Sequence, residues 1–147
     1  MSELNTPSRV IFLTGASRGI GAELARGLLR DGHRLIATAR DLTSLAWLKE
    51  EAEELGASER LLTCPLDVSE LESVTEAARL AQDRFGVVEV IINNAGVAES
   101  APLHKTSDEL WSHTMQVNLT GPFWVTRALL PALRGRAYGR VIFIASI

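Results

Sequence analysis

Hydrophobic residues occur in short continuous runs, separated by longer stretches in which they recur with helical spacing. The runs are rich in Val, Ile and Leu and do not alternate with polar residues, which is typical of strands buried on both faces of a parallel sheet. The pattern predicts strands at Arg9–Leu13, Arg34–Thr38, Arg60–Cys64, Val87–Ile92 and Arg140–Ala145.

The stretches between these runs predict helices. Ile20, Leu24 and Leu28 recur every four residues, as on one face of a helix. Two segments resemble capping boxes, Ser69-x-x-Glu72 and Thr106-x-x-Glu109, and we expect them to open the third and fourth helices. The predicted helices are, in chain order, Gly19–Arg30, Thr43–Leu55, Ser69–Phe85 and Thr106–Leu133.

Strands and helices in this alternating order define the α/β class. Because crossovers between parallel strands are right-handed, the elements predict a Rossmann-type doubly wound parallel sheet with strand order 3-2-1-4-5. A chain of 147 residues has room for one such domain, so residues 1–147 are expected to form a single unit.

A glycine-rich turn follows the first strand, with the spacing Gly15-x-x-x-Gly19-x-Gly21. Glycines let the chain turn sharply and approach a ligand closely, and the N-terminus of the helix that follows favours a pyrophosphate. A tight turn that joins two packed elements and binds no ligand is the alternative. The nucleotide-binding interpretation involves Gly15, Ser17, Arg18, Gly19, Ile20 and Gly21.

Composition and charge narrow the function classes. The net charge is −3 without a long basic run, which argues against a nucleic-acid surface. No apolar stretch is long enough to span a bilayer, and the first residues lack the apolar core of a signal peptide. Cys64 is the single cysteine and the three histidines lack metal-ligand spacing, so we expect a cytoplasmic protein without a disulfide or a metal site.

Two motifs resemble the short-chain dehydrogenase/reductase family: Thr-Gly-x-x-x-Gly-Ile-Gly starting at Thr14, and Asn93-Asn94-Ala95-Gly96. Within that family the motifs most resemble 3-oxoacyl-(acyl carrier protein) reductases. The resemblance implies an oxidoreductase that transfers hydride between a nicotinamide cofactor and a small carbonyl or alcohol substrate. A full-length parent is expected to be a homo-oligomer.

The end of the second strand indicates which cofactor is preferred. Relatives that prefer NAD carry an acidic residue where this chain has Ala39, and Arg40 follows it. Guanidinium groups at Arg40 and Arg18 can pair with a 2′-phosphate, so NADP(H) is predicted over NAD(H). The alternative is that Arg40 is a solvated helix-start residue offset by Asp41.

The resemblance also implies contacts further along the cofactor. Asp67 would bind the adenine amino group, with the backbone of Val68 beside a ring nitrogen. The alternative, that Asp67 caps the next helix, is less favoured because Ser69 is expected to be the cap. Small residues of the second motif, Asn94, Ala95 and Gly96, would leave room for the ribose, unless the motif is an ordinary turn.

The resemblance assigns catalytic roles to Asn118 and Ser146. Asn is a poor helix former, and Pro122 follows Asn118 closely. These residues predict a kink that leaves a backbone carbonyl free to bind a water. The alternative is a simple break between two helices. Ser146 would bond the substrate oxygen.

The family's Tyr-x-x-x-Lys motif, which supplies the general acid, is absent from these 147 residues, because Tyr138 is the single tyrosine and no Lys follows it. The chain is therefore expected to be an inactive N-terminal part of a longer enzyme, truncated before the last family strands. The alternative is a non-catalytic NADP(H)-binding fragment or pseudoenzyme.

Overall fold

The fold is a five-stranded parallel sheet with helices on both faces. The computed structural model describes residues 6–146, so residues 1–5 and 147 of the predicted domain lie outside the described part. The strand order is β3-β2-β1-β4-β5, which confirms the predicted Rossmann-type topology. The strands are β1 (Val10–Leu13), β2 (Arg34–Ala39), β3 (Leu61–Pro65), β4 (Val90–Asn93) and β5 (Arg140–Phe143).

The described helices follow the predicted alternation, with two differences. Thr43–Leu55 is divided into a 3₁₀ turn at Leu42–Leu45 and a shorter α-helix, and Thr106–Leu133 is interrupted by a π-helical turn at Gln116–Thr120 and ends in a 3₁₀ turn. The α-helices are α1 (Gly19–Arg30), α2 (Ala46–Glu54), α3 (Leu71–Phe85), α4 (Asp108–Met115) and α5 (Gly121–Leu129).

The sheet separates two hydrophobic cores. Phe12 of β1 belongs to the core shared with α3 and α5, whereas its neighbour Leu13 belongs to the core shared with α1 and α2. All four residues of β1 are buried, as are all four of β4. The continuous apolar runs in the sequence are therefore explained by helices that cover both faces.

The strand register brings the loops that carry the motifs to one edge. Leu13 pairs with Ala37 of β2 and with Ile92 of β4. Strands β2 and β3 are paired up to Ala39 and Pro65. Because the strands are parallel, the loops after β1, β2, β3 and β4 all emerge at the carboxyl edge of the sheet.

Both predicted capping boxes are wrong. The N-cap of α3 is Glu70, without a side-chain bond, because Ser69 is held in a turn by the carboxylate of Asp67. The N-cap of α4 is Ser107, whose hydroxyl accepts from the N–H of Leu110 at 3.1 Å. Thr106 is not the cap because it ends a 3₁₀ turn, Leu103–Lys105, that precedes α4.

Strand β5 is shorter and more exposed than predicted. It ends at Phe143 instead of Ala145, although the N–H of Ile144 still donates to the carbonyl of Asn93 at 2.9 Å. Within residues 6–146, β5 pairs with β4 alone. Ile142 and Phe143 are 40% and 58% exposed, so β5 forms a hydrophobic edge of the sheet within the described residues.

Candidate functional site

A cavity of about 400 Å³ lies at the carboxyl edge of the sheet, between the loops after β1 to β4 and helix α4. All twelve residues predicted to contact a cofactor line this one cavity, although they are spread over eighty residues of sequence. They are Gly15, Ser17, Arg18, Gly19, Ile20, Gly21, Arg40, Asp67, Val68, Asn94, Ala95 and Gly96.

Two glycines are required by the close packing of the turn. Gly15 has φ +68°, and a Cβ there would lie 2.9 Å from the Cα of Ala95. A Cβ on Gly21 would overlap the carbonyl oxygen of Gly15. The first turn of α1 can therefore approach the Gly15 turn only because Gly21 lacks a side chain, and that turn can pack on Ala95 only because Gly15 lacks one.

Thr14 and Asn94 bind the ends of β1 and β4 to each other. The Thr14 hydroxyl oxygen accepts from the N–H groups of Asn94 and Ala95, both at 2.9 Å. In return, the Asn94 amide donates to the carbonyls of Thr14 and Gly15 at 3.1 and 3.0 Å. Thr14 is 1% exposed, so these buried bonds hold in place the floor of the cavity, which is the backbone at Gly15 and Asn94.

Two arginines contribute positive charge to the cavity. Arg18 and Arg40 both line it, both are exposed, and neither forms an ion pair within the part of the chain that the structure describes. The carboxylate of Asp41 accepts from the N–H and hydroxyl of Thr43 at 2.9 and 2.8 Å. These hydrogen bonds lower the pKa of Asp41, and the carboxylate is used as a cap instead of a partner for Arg40.

Asp67 is held by the residues that follow it. Its Oδ1 accepts from the N–H and hydroxyl of Ser69 at 2.9 and 2.6 Å, and its own N–H donates to the hydroxyl of Ser73. Partial burial alone would raise the pKa of Asp67. The hydrogen bonds from Ser69 and the attraction to Arg40 and His113 together outweigh burial, so the pKa lies below its usual value. Ser69 is expected from the sequence to cap α3 in place of Asp67, but the N-cap is Glu70, and Ser69 instead donates to Asp67 in the turn before the helix.

Asn118 lies in the π-helical turn and does not line the cavity. Its Oδ1 accepts from the N–H of Val97 at 2.9 Å and its Nδ2 donates to the carbonyl of Val97 at 2.8 Å. The irregular helix predicted here is a π turn that leads directly into α5, where Pro122 occupies the first turn. A Cβ on Gly121 would lie 2.9 Å from Val68, so the turn packs closely on the loop after β3.

The remaining predicted residue, Ser146, follows β5 and is exposed outside the cavity. Asn93, beside the second motif, is 4% exposed, and its Nδ2 donates to the hydroxyl of Thr126 on α5 at 3.1 Å. The Oδ1 of Asn93 is buried and has no hydrogen-bond partner among residues 6–146.

Sequence reasoning missed several lining residues. They are Ala39, Leu66, Ser69, Val97, His113 and Val117. His113 and Val117 are four residues apart on consecutive helical turns, so a search for positions that share a helical face with the Asn118 segment would have found them. The others flank predicted residues on the same loops.

The described residues contain neither a candidate metal-binding cluster nor a helix that could span a membrane. No group of three or more His, Cys, Asp or Glu within residues 6–146 could hold a metal ion. None of the helices described above is long and apolar enough to cross a membrane.

Comparison with known proteins identifies the family. The short chain dehydrogenase model matches residues 9–147, and the chain belongs to this family. It is 33% identical over 144 residues to a 3-oxoacyl-[acyl-carrier-protein] reductase of Vibrio cholerae, covering 98% of the chain and 57% of that relative. The chain spans about half of the length of the curated relatives that it matches.

Solved structures agree with this assignment. A metagenomic short-chain oxidoreductase in complex with NADP has a TM-score of 0.89 and 33% identity, and the match covers 97% of this chain and 63% of that one. An alcohol dehydrogenase from the archaeon Thermococcus sibiricus, complexed with 5-hydroxy-NADP, has a TM-score of 0.86 and 36% identity, covering 93% and 57%. The doubly wound fold is thus that of short-chain dehydrogenases.

Proposed function

We propose that this chain is the NADP(H)-binding part of a short-chain dehydrogenase/reductase. The whole enzyme would transfer hydride between the nicotinamide and a small carbonyl or alcohol substrate. One observation carries the proposal: twelve residues from four loops surround a single cavity at the carboxyl edge of a parallel sheet. This edge is where α/β proteins of this topology bind nucleotides.

The cavity fits a dinucleotide on its own geometry. Gly15 and Gly21 keep side chains out of the space above β1, and a Cβ at either position would collide with backbone. The first-turn N–H groups of α1 lack partners inside the helix, and the helix dipole adds positive potential. A pyrophosphate would be held here by backbone donors, with Asp67 and Val68 available to the adenine.

Preference for NADP(H) over NAD(H) rests on Arg18 and Arg40. Both arginines line the cavity without an ion-pair partner in the described residues, and the last residue of β2 is Ala39, which carries no charge to repel a 2′-phosphate. Both solved relatives described above contain an NADP-type ligand. The cofactor, when bound, supplies the hydride chemistry, and this chain's residues bind and orient it.

The test of the cofactor preference is Arg40→Asp, measured as the ratio of dissociation constants for NADPH and NADH by calorimetry. Loss of a charge-assisted pair and gain of a repulsive charge are expected to lower the preference for NADPH about a hundredfold. Arg127→Asp on α5 is the matched control, since Arg127 lies outside the cavity. An unchanged ratio in Arg40→Asp would refute the 2′-phosphate role.

Asn118 and Ser146 are proposed to belong to the catalytic group of the whole enzyme. Neither side chain lines the cavity, and Asn118 acts here on Val97, which does line it. In the 147 residues the single tyrosine, Tyr138, lies before β5 at the opposite edge of the sheet. We therefore propose that the chain alone binds cofactor without reducing ketones.

A non-catalytic NADP(H)-binding fragment or pseudoenzyme is the second candidate, favoured by this position of Tyr138. Binding of NADPH does not separate the two candidates, because both require it. A coding sequence that continues into a Tyr-x-x-x-Lys motif would support the enzyme, and a stop codon after codon 147 would support the second candidate. Ketone-dependent oxidation of NADPH by the 147-residue chain would contradict the proposed inactivity of that form.

A further inference from the structure

A second cavity, of about 380 Å³, lies at the opposite edge of the sheet. It is formed where β1, β2 and β4 begin and where the loop leads into β5, and it shares no lining residue with the first cavity. Its lining includes three arginines, one glutamate and one tyrosine: Arg9, Arg34, Arg136, Glu89 and Tyr138.

The carboxylate of Glu89 is fully engaged. Its Oε1 accepts from Nη1 of Arg9 at 2.9 Å and its Oε2 accepts from the N–H of Val10 at 2.9 Å. Partial burial alone would raise the pKa of Glu89. These hydrogen bonds and the charges of Arg9 and Arg34 together outweigh burial, so the pKa lies below its usual value. Glu89 is therefore ionised at neutral pH, and its charge balances one arginine of the cavity.

Because Glu89 neutralises one charge, the three arginines that line the cavity leave two positive charges in excess among the described residues. Neither Arg34 nor Arg136 forms an ion pair or a side-chain hydrogen bond within residues 6–146. Several positive charges that line one concave site raise the local concentration of anions there. The two free guanidinium groups thus give the cavity a net attraction for a dianion.

The loop that carries Arg136 is fixed in position. The guanidinium of Arg9 stacks on the ring of Tyr138 at 3.7 Å, and that of Arg140 lies 4.9 Å from the same ring centre. The N–H of Arg136 also donates to the carbonyl of Leu133 at 3.1 Å. Stacked cations of this kind restrain the ring and so the loop, which lowers the entropy cost of binding an anion beside it.

We propose that this second cavity binds a small anion that carries a phosphoryl group, with Arg34 and Arg136 as its main ligands. A phosphoryl dianion matches the two free charges, and planar guanidinium groups bind its oxygens in pairs. Phe85 and Val87 line the same cavity and provide an apolar wall for an organic group on the phosphate. Inorganic phosphate and phosphate monoesters share the recognised chemistry.

The test is a titration of the ¹⁵N-labelled chain with inorganic phosphate and with phenyl phosphate at constant ionic strength, with and without NADPH. Amide shifts are expected at Arg34, Arg136 and Tyr138 in both conditions. Arg34→Gln and Arg136→Gln should each weaken binding about tenfold, because each removes one charge-assisted contact. Arg127→Gln, on α5 outside the cavity, is the control and should bind like the wild type.

Two results would overturn the proposal. One is binding that shifts the Gly15 to Gly21 amides and disappears with NADPH, which would put the phosphate in the first cavity. The other is unchanged affinity in both arginine variants, with thermal unfolding confirming that they fold. Tighter binding of phenyl phosphate than of inorganic phosphate would support use of the apolar wall, and equal affinities would support recognition of the phosphoryl group alone.

Discussion

The side chain of Asn118 forms two hydrogen bonds with the backbone of a single residue, Val97. Val97 donates its N–H to Oδ1 at 2.9 Å, and Nδ2 donates to the Val97 carbonyl at 2.8 Å. The amide thus makes with Val97 the pair of hydrogen bonds that a neighbouring strand would make with a strand residue. The π turn at Gln116–Thr120 brings Asn118 to this position, so the helix irregularity has a structural use in shaping one wall of the cavity.

Removing the Asn118 amide should loosen the segment after Gly96. We expect Asn118→Ala to lower the free energy of unfolding by about 1 kcal/mol, because the bonds are exposed, and to speed hydrogen exchange of the Val97 amide. Asn118→Asp keeps the acceptor and should retain much of the protection of that amide. Protection at Val97 that is equal in the wild type and in Asn118→Ala would contradict this role.

Gly21 and Gly27 form a matched pair on α1. A Cβ on Gly21 would overlap the Gly15 carbonyl oxygen, whereas no atom lies within 4 Å of a Cβ on Gly27. Gly21→Ala should therefore destabilise the chain by about 2 kcal/mol or more and weaken NADPH binding. Gly27→Ala should stabilise it by up to about 1 kcal/mol, since alanine is the better helix former.

Urea denaturation and calorimetry with NADPH measure both effects. The sign difference between the two variants is the decisive outcome. If Gly21→Ala were as stable as Gly27→Ala and bound NADPH equally well, the close approach of α1 to the Gly15 turn would not be required.

The sequence was sufficient to predict the sheet order because short continuous apolar runs alternate with helical patterns, and crossovers between parallel strands are right-handed. It also predicted which twelve residues meet at one cavity, since the motifs follow the carboxyl ends of neighbouring strands. Their function in binding stays a prediction. Patterns that depend on burial of whole segments are robust, because many residues contribute to each of them.

Contacts between distant residues could not be predicted in the same way. Ser69 is the better N-cap by residue type, yet α3 begins after Glu70 because Asp67 holds Ser69 in a turn. The bonds of Asn118 to Val97 join residues that are 21 positions apart. Such contacts depend on the final packing of a π turn against the loop after β4, which local propensity does not determine.

Thr14 stabilises the floor of the cavity through a single oxygen atom. Its hydroxyl oxygen accepts from the N–H groups of Asn94 and Ala95, and Thr14 is 1% exposed. Thr14→Val keeps the shape but leaves two N–H groups without an acceptor, so we expect a loss of about 2–4 kcal/mol in the free energy of unfolding. Thr14→Ser keeps the oxygen and should cost less.

Chemical denaturation of the three proteins checks this order of stability. An equal loss in Thr14→Val and Thr14→Ser would contradict a dominant role of the two hydrogen bonds, because Thr14→Ser keeps the oxygen that accepts them and removes only the methyl group.

Asp67 should contribute to the pH dependence of stability. Its pKa in the folded chain lies below the usual value, so its charged form stabilises the fold above the unfolded pKa of about 3.9, and this contribution disappears as the pH falls through the lower folded pKa. Asp67→Asn should therefore be less stable than the wild type at pH 7, and the difference should shrink towards pH 3.

Urea titrations at several pH values between 3 and 7 measure this difference. Glu53→Gln, which removes a carboxylate from the exposed side of α2, is the control and should not reproduce the trend. A gap between wild type and Asp67→Asn that stays constant over this range would contradict the assignment of the low pKa.

Cys64 should be chemically inert in the folded chain. It is 1% exposed on β3, and burial raises the pKa of its thiol to about 12. Because the thiolate is the nucleophile, its fraction at neutral pH falls about a thousandfold relative to an unperturbed thiol, so iodoacetamide should label Cys64 rapidly only in denaturant. A Cys64→Ala chain with Ser112→Cys on exposed α4 should label equally well in both conditions. Fast labelling of native Cys64 would show that β3 opens readily, since the raised pKa requires that the strand stay covered.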